Sequence, residues 1–385
     1  MSKQWSAGVA ALALTLTTLT ACNGSSSGSG SPAGVQNQYT SYNVIPLVTD
    51  RDELAAPRHD ANLINPWGLT FANGKAWVAN AGSNTATVYD AGGIPQPTVV
   101  RLPGEASDGG PTGIVYNPYA TDFHVNTPGA SGSAQVIFAT EGGTIAVWSQ
   151  NSSFGNTALK VYDDSANHAS YKGLALLNVN NSRFLYAADF RNGKIDTWDS
   201  SFNPITTFGG FIDTTLPAGY APFGIHAIGN HLIVTYAKQD PEHAGEEVAG
   251  AGLGYVNEFD GSGRLVRRIA SGGELNAPWG VTVAPSNFGK YSASLLIGNF
   301  GDGHINAYDP ATGAWIGTLE SSQGQALTIP GLWAISFPYA VFANSGTGGT
   351  GTGGTGSGTG TGGTGTGGTG TGGMGTDGTG TGNFG

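Results

Sequence analysis

The chain has 385 residues, a formal net charge of −11 and only 11% Asp, Glu, Lys and Arg, while 65 of its residues are glycine. No cluster of Lys or Arg interrupts this acidic background, which argues against binding to nucleic acid or to an anionic membrane surface. The low charge and high glycine content agree with a secreted or surface protein.

The N-terminus predicts an exported protein. Lys3 gives a short positive start, and the apolar run over residues 7–21 is too short to span a membrane as a helix. The run leads into LTAC at Cys22, which resembles the lipobox of bacterial lipoproteins. This resemblance implies a signal peptide over residues 1–21, a lipid anchor on Cys22 and a Ser/Gly tether over residues 22–40. A standard cleavable signal with an incidental cysteine is the alternative.

The middle of the chain repeats one pattern about every 50 residues. Each unit opens on a glycine-containing apolar strand and continues with a second strand such as AWVAN (76–80). A third strand with period-two alternation follows, such as TATVYD (85–90), and a fourth completes the unit. A repeat of this length built only from strands is typical of a β-propeller. The anchoring glycines are Gly68, Gly113, Gly173, Gly224, Gly280 and Gly331.

The two ends of the repeat predict how the ring closes. The sixth unit supplies only GLWAISF and YAVFANS, and the strand-like YNVIPLVTD (42–50) has no unit of its own. We expect residues 42–49 to pair with the sixth unit as its outer strand, because an open ring would expose two sheet edges. The third strand of that blade is either missing or formed by residues 383–385 folding back.

The predicted fold is therefore an all-β, six-bladed propeller over residues 41–344. Residues 345–385 are almost wholly Gly and Thr, which predicts a disordered low-complexity tail, as at the N-terminal end.

One face of the predicted channel collects polar side chains. In propellers, the loops before the inner strands and those between the second and third strands lie on the same face. The long acidic loop over residues 238–254 belongs to this face, and long loops on rigid scaffolds often carry recognition. The candidate ligand-binding residues are Lys172, Asp189, His226, Tyr236, Lys238 and Asn299.

Three of these candidates break the repeat pattern. Lys172 is expected either to bind an anionic group or to pair with Asp189 or Glu141. His226 is either a general base or a hydrogen-bonded structural residue. Lys238 begins the long acidic loop.

A second set of residues recurs at equivalent positions. Asn80, Asp189 and Asn299 each end a second strand. Their oxygens suit a single calcium or other divalent ion in the channel. The alternative is that Asx side chains at these positions stabilise the turn that follows.

Several motifs together resemble a known family. NPWGLTF, YKGLAL, GYVNEFD, LNAPWGVTVAP and LLIGNFGDGHINAYD look like an uncharacterised family of bacterial exported propeller proteins. The chain is more distantly similar to NHL-repeat propellers and to the gluconolactonase/regucalcin group of calcium-dependent phosphotriesterase-like proteins. The second similarity implies a divalent ion held by Glu, two Asn and Asp, but Pro66-Trp67-Gly68 stands where the acidic residue is expected.

These observations predict a non-catalytic binding module that is lipid-anchored in a bacterial cell envelope, at the outer membrane if the cell is Gram-negative. Its ligand would be a glycan, a peptide or an envelope protein, bound by the channel face and the 238–254 loop, with no established cofactor. The alternative is a divalent-metal-dependent lactonase or esterase.

Overall fold

The computed structural model describes residues 11–14, 41–52, 54–151 and 153–338. Within them, the regular secondary structure is almost entirely β-strand, and the only helices are three short 3-10 turns. No described helix is long and apolar enough to cross a bilayer. The 3-10 turns are Ala106–Asp108, Ser165–Asn167 and Gly289–Tyr291.

The chain starts with a two-stranded pair and then forms the first blade. Strand β1, Ala11–Leu14, pairs antiparallel with β2, Val44–Val48. The first blade has the strand order β3-β4-β5-β6, and each strand is antiparallel to the next. Its strands are β3 Pro66–Ala72, β4 Lys75–Asn80, β5 Thr85–Tyr89 and β6 Pro95–Arg101.

The second blade carries an inserted hairpin between its inner and second strands. Its four strands run in the order β7-β10-β11-β12, and β8 pairs only with β9. The strands are β7 Pro111–Tyr116, β8 His124–Thr127, β9 Ala130–Ser133, β10 Val136–Thr140, β11 Thr144–Trp148 and β12 Leu159–Asp163.

The third, fourth and fifth blades repeat the four-stranded meander, and the fourth adds the short strand β19 to β18. The strands of the third blade are β13 Tyr171–Val179, β14 Ser182–Asp189, β15 Lys194–Trp198 and β16 Pro204–Ile205. Those of the fourth are β17 Tyr220–Ile228, β18 His231–Gln239, β19 Glu247–Val248, β20 Tyr255–Asp260 and β21 Leu265–Ser271. Those of the fifth are β22 Pro278–Val283, β23 Leu295–Asn299, β24 Ile305–Tyr308 and β25 Trp315–Thr318.

The prediction of six blades was wrong for the part of the chain that the structure describes, which contains five four-stranded blades. Residues 319–338 form no strand there. They still occupy the sixth position of the ring, since Ala334 donates a backbone hydrogen bond to Trp67 on one side (3.2 Å). On the other side, a Cβ on Gly280 would lie 2.5 Å from the carbonyl oxygen of Trp333. The channel therefore has six walls, although only five are regular sheets.

Glycine at the start of each inner strand lets neighbouring blades approach backbone to backbone. A Cβ on Gly224 would stand 2.2 Å from the carbonyl oxygen of Trp279, and one on Gly68 would stand 2.3 Å from that of Thr112. These are distances that side-chain carbons do not adopt. In the sixth position, Ala334 takes the glycine's place, three residues after Gly331, which the repeat predicted as the anchor.

The predicted pairing of residues 42–49 with the sixth unit is not seen, because β2 pairs with β1 instead. Tyr42 nevertheless attaches the segment to the ring. Its backbone N–H donates to Glu320 (2.8 Å) and its hydroxyl donates to the carbonyl of Phe288 (2.7 Å). Burial raises the pKa of this hydroxyl to about 12. Residues 339–385, which include the predicted tail, lie outside the described residues.

Candidate functional site

The inner strands share a β-bulge at the residue just before the glycine. The register with the second strand slips between Pro66 and Leu69 in β3, and at the matching point in the other four blades. A bulge leaves one residue outside the ladder and re-aims its side chain. With Trp333 from the sixth position, the residues at this level form what we call the plug: Trp67, Thr112, Lys172, Phe223, Trp279 and Trp333.

The plug closes one end of the channel with aromatic rings. Trp67 and Trp333 stack with ring centroids 3.4 Å apart, and Trp279 meets them edge-on at 6.5 and 5.8 Å. Phe223 lies 5.8 Å from Trp333. All four rings are buried, and such pairs add stability beyond the burial of their area. We call this the closed end of the channel.

Lys172 is the charged member of the plug, and carboxylates surround it. Its side chain is 2% exposed and pairs with Glu141, while Glu247 lies 3.9 Å from its ammonium. The ammonium also lies 4.9 Å from the Trp67 ring centroid, a cation–π distance. Burial lowers the pKa of Lys172, but the two carboxylates outweigh that effect, so the lysine stays charged. Of the two predicted roles of Lys172, the structure shows pairing with Glu141.

The long loop over residues 238–254 brings Glu247 to this position. Strand β19 pairs antiparallel with the end of β18, and Gln239 lies opposite Glu247 in this pairing. The Gln239 amide donates to the carbonyls of Phe190 (2.7 Å) and Arg191 (3.2 Å), which anchors the loop on the third blade. Burial raises the pKa of Glu247. The acidic loop is thus a folded hairpin that supplies one carboxylate to the closed end.

The opposite end of the channel holds a cavity of about 490 Å³. All six walls contribute to it, from the plug-side glycines to the far ends of the inner strands. Its buried wall is aliphatic, with Ile114, Leu174, Ile225 and Val281. We call this the open end. Its rim includes Tyr116, Tyr119, Asn178 and Ser336.

His226 is the one predicted ligand-binding residue that lines this cavity. Its Nε2 lies 2.8 Å from the carbonyl oxygen of Trp279. A carbonyl oxygen only accepts, so Nε2 carries the proton, and Nδ1 is left as an acceptor. Burial lowers the pKa of His226 to about 4, and the ring is therefore neutral near pH 7.

Asn80 and Asn299, two of the residues predicted to hold a divalent ion, donate hydrogen bonds to different partners. Asn80 donates to Thr85 and Thr87, and the Asn299 amide donates to the carbonyl of Glu274. The three predicted ion ligands are followed in the chain by Ala81, Phe190 and Phe300, which join the aromatic cluster of the plug. The amide donors of Asn80 and Asn299 are thus bonded as the turn-stabilising alternative expects. Their Oδ1 atoms are buried and accept no hydrogen bond from the described residues, so a shared ion stays a prediction.

Asp189 belongs to a separate cluster of three carboxylates that already pairs with one lysine. Asp164, Asp189 and Asp196 place oxygens within 4.8 Å of one another. The Lys194 ammonium lies 3.7, 3.8 and 2.7 Å from them, in that order. Burial raises the pKa of Asp189, and backbone and side-chain donors from Ser170 and Asn192 oppose that shift. The ammonium stands where a cation would bind.

Two further predicted site residues, Tyr236 and Lys238, do not line the cavity. Tyr236 is buried in the core of the third and fourth blades, and its pKa is raised by burial. Lys238 is exposed at the end of β18, opposite Val248. Cys22 lies outside the described residues, so lipid attachment there stays a prediction.

The rim residues of the open end did not emerge from the sequence. Tyr116 and Tyr119 precede the inserted hairpin of the second blade. Arg183 lies over the Tyr119 ring at 4.2 Å and 3.3 Å from Asp122, which fixes the insertion against the third blade. The sequence feature that could have located this insertion is the 60-residue spacing from Gly113 to Gly173, which is the longest in the repeat.

Sequence relatives of the chain are viral. No family model matches it. An uncharacterised protein of Acanthamoeba polyphaga mimivirus is 33% identical over 320 residues, which are 81% of this chain and 77% of the relative. A second from the same virus is 31% identical over 318 residues (81% and 83%). A third is 34% identical over 284 residues (72% and 52%). The predicted membership of a bacterial exported family was therefore wrong.

Solved structures give only distant likenesses. A nidogen/laminin complex chain is 16% identical with a TM-score of 0.45, over 77% of this chain and 95% of that one. An inactive virginiamycin B lyase of Staphylococcus aureus with quinupristin is 16% identical with a TM-score of 0.37, over 69% of each chain. A Bacteroides thetaiotaomicron protein of unknown function is 12% identical with a TM-score of 0.46, over 71% and 64%.

Proposed function

The chain belongs to the family of these uncharacterised mimivirus proteins, and we propose that it is a non-catalytic binding module that takes a small apolar ligand into the open end of its channel. The observation that carries the proposal is the cavity of about 490 Å³ behind a polar and aromatic rim. Ligand pockets are commonly of this size, apolar, and fitted with a few polar groups that set orientation.

The wall of the cavity defines the class of ligand. Aliphatic side chains from four different blades supply most of the contact, so the ligand gains affinity mainly by leaving water. His226 supplies one acceptor, Nδ1, because its Nε2 is held by the Trp279 carbonyl. A ligand with a hydrogen-bond donor on an apolar body, such as a phenol or an aromatic side chain of a peptide, fits both features.

The positions of the charged groups favour binding over catalysis at the open end. Lys172 and its two carboxylate partners lie at the closed end and pair with one another there. His226 is the imidazole in the cavity wall, and burial keeps it a weak base. For the metal-dependent hydrolase alternative, the Lys194 ammonium lies 3.8 Å from Asp189, the one carboxylate of the predicted ligand set, and so competes with a metal ion there.

The test uses 4-bromophenol, whose bromine quenches tryptophan fluorescence on contact. We expect saturable quenching, because Trp279 lines the cavity, and matching heats in calorimetry. Thr70→Phe fills part of the wall and should abolish the binding, whereas Thr206→Phe, at an exposed position, should leave it unchanged. His226→Phe removes the acceptor and should weaken binding about fivefold, since one hydrogen bond contributes about 1 kcal/mol.

The same titration tests the other predicted ligands by competition with bromophenol. A tyrosine-containing peptide should compete with bromophenol, and so should a peptide segment of a protein partner. Simple glycans should compete poorly, because they lack the apolar body that the wall requires. Binding that survives Thr70→Phe, or no binding of any phenol or aromatic peptide, would reject the proposal.

A further inference from the structure

A second apolar space lies where the sixth blade would be. This groove has a volume of about 300 Å³ and separates the first blade from the fifth. Val78 and Tyr89 form its wall on the first blade, and Leu296 and Ile305 form its wall on the fifth. Between regular neighbours in the ring, such surfaces are covered by the strands of the intervening blade.

The described chain ends on the edge of this groove. The inner segment of the sixth position, residues 334–337, borders it, and so does Pro338, the last described residue. In all five regular blades, the strand that pairs with the inner strand is the next blade strand along the chain, interrupted only by the hairpin insertion of the second blade. Residues directly after Pro338 are thus the ones that chain order assigns to this space.

Their sequence matches second strands that the structure does describe. Residues 340–344 read AVFAN, beside AWVAN at 76–80 and LLIGN at 295–299. In this alignment Val341 corresponds to Trp77 and Leu296, and Phe342 corresponds to Val78 and Ile297. Those counterparts are all buried, at 9% exposure or less. A second strand is buried on both faces, so both apolar side chains have a place in the groove.

We propose that residues 339–344 dock in this groove as the second strand of an incomplete sixth blade. The segment lies between the inner segment 334–337 and the N-terminal strand β2, whose Leu47 and Val48 line the groove. The occupant is the chain's own segment, because Pro338 already lies on the wall and no linker is needed to reach it. This inference is independent of any ligand in the channel.

Docking would also support the channel. Residues 334–336 border both the groove and the open-end cavity, as do Gly68 and Leu69. The wall between the two spaces is one segment thick there. Filling the groove holds that segment from behind.

The test compares single substitutions in the full chain. Phe342→Asp and Val341→Asp should each lower Tm by about 5 °C or more, because each places a charge in a buried strand. Thr347→Asp, a few residues further on in the Gly/Thr tail, should leave Tm unchanged. Hydrogen exchange should show amides of residues 341–344 at least about 100-fold slower than those of the tail.

Two results would overturn the proposal. The first is a Phe342→Asp protein that melts like Thr347→Asp, with residues 341–344 exchanging as fast as the tail. The second is a dimer in size-exclusion chromatography that Phe342→Asp converts to monomer, which would place the segment of a second copy in the groove.

Discussion

The two ends of the channel are built from the same six walls and differ in what those walls present. At the closed end, β-bulges turn three aromatic rings and the Lys172 ammonium into the axis, and Trp333 joins them from the sixth position in one buried aromatic cluster. At the open end, the strands have returned to regular pairing and their aliphatic side chains leave about 490 Å³ free. One irregular residue per strand therefore decides whether the same ring is filled or hollow.

The largest effect is expected from removing the charge of the closed end. Lys172→Met leaves the buried Glu247 without a counterion, and breaking a buried ion pair in this way costs about 3–5 kcal/mol of unfolding free energy. Urea denaturation measures it. Glu247→Gln should restore part of the loss in the double variant. Lys160→Met removes a half-exposed ion pair and should cost less than about 1 kcal/mol. Equal losses for both lysines would contradict the assignment.

A comparable loss is expected where neighbouring walls touch. Gly224→Ala puts a methyl group 2.2 Å from the Trp279 carbonyl oxygen. The strands must separate, which should cost about 3 kcal/mol. Gly129, at a position with open space, serves as the control, and Gly129→Ala should change stability by less than about 0.5 kcal/mol. Thermal melts of the two variants give the comparison, and a neutral Gly224→Ala would refute the close approach.

The open end should make stability depend on pH. The pKa of His226 falls from 6.5 to about 4 on folding, because burial disfavours the charged ring. Between these values the unfolded chain binds more protons, so stability falls as the pH drops from 6.5 towards 4, by at most about 3 kcal/mol. His226→Gln should flatten this slope. His124→Gln, at an exposed position, should preserve it. Denaturation midpoints at pH 4.5, 5.5 and 6.5 distinguish the two variants.

The smallest effect is expected at the rim. Arg183→Met removes the cation above Tyr119 and the partner of Asp122, both partly exposed to solvent. We expect a loss of about 1 kcal/mol or less. Arg58→Met, on an exposed loop, should have no measurable effect. A loss as large as that of Lys172→Met would mean that the rim, and not the plug, holds the second and third blades together.

The sequence was most informative about regular strands and least informative at the irregular residues. Period-two alternation and the recurring Asn and Asp turns predicted all five complete blades. The prediction for the sixth position was wrong because Ala334 occupies the place of the inner-strand glycine. Gly331, three residues earlier, only matches the spacing of the repeat. Local pattern alone cannot show which small residue faces a neighbouring backbone.

Side-chain partners across the ring were equally hard to predict. Glu141 was among the expected partners of Lys172, since both lie beside the channel. Glu247 could not be placed, because its position depends on β19 pairing with β18 in the middle of a long loop. Trp67 and Trp279 face the axis because of the bulge that their strands share, and the alternation of the sequence does not reveal that bulge.

The plug also has a kinetic consequence. Among the described residues, the channel is filled at the closed end, so a ligand of the proposed site would enter and leave past Tyr116 and Tyr119. Substitutions at this entrance are expected to change the association and dissociation rate constants by the same factor, so the equilibrium constant stays the same. Changes deeper in the wall act mainly on the residence time.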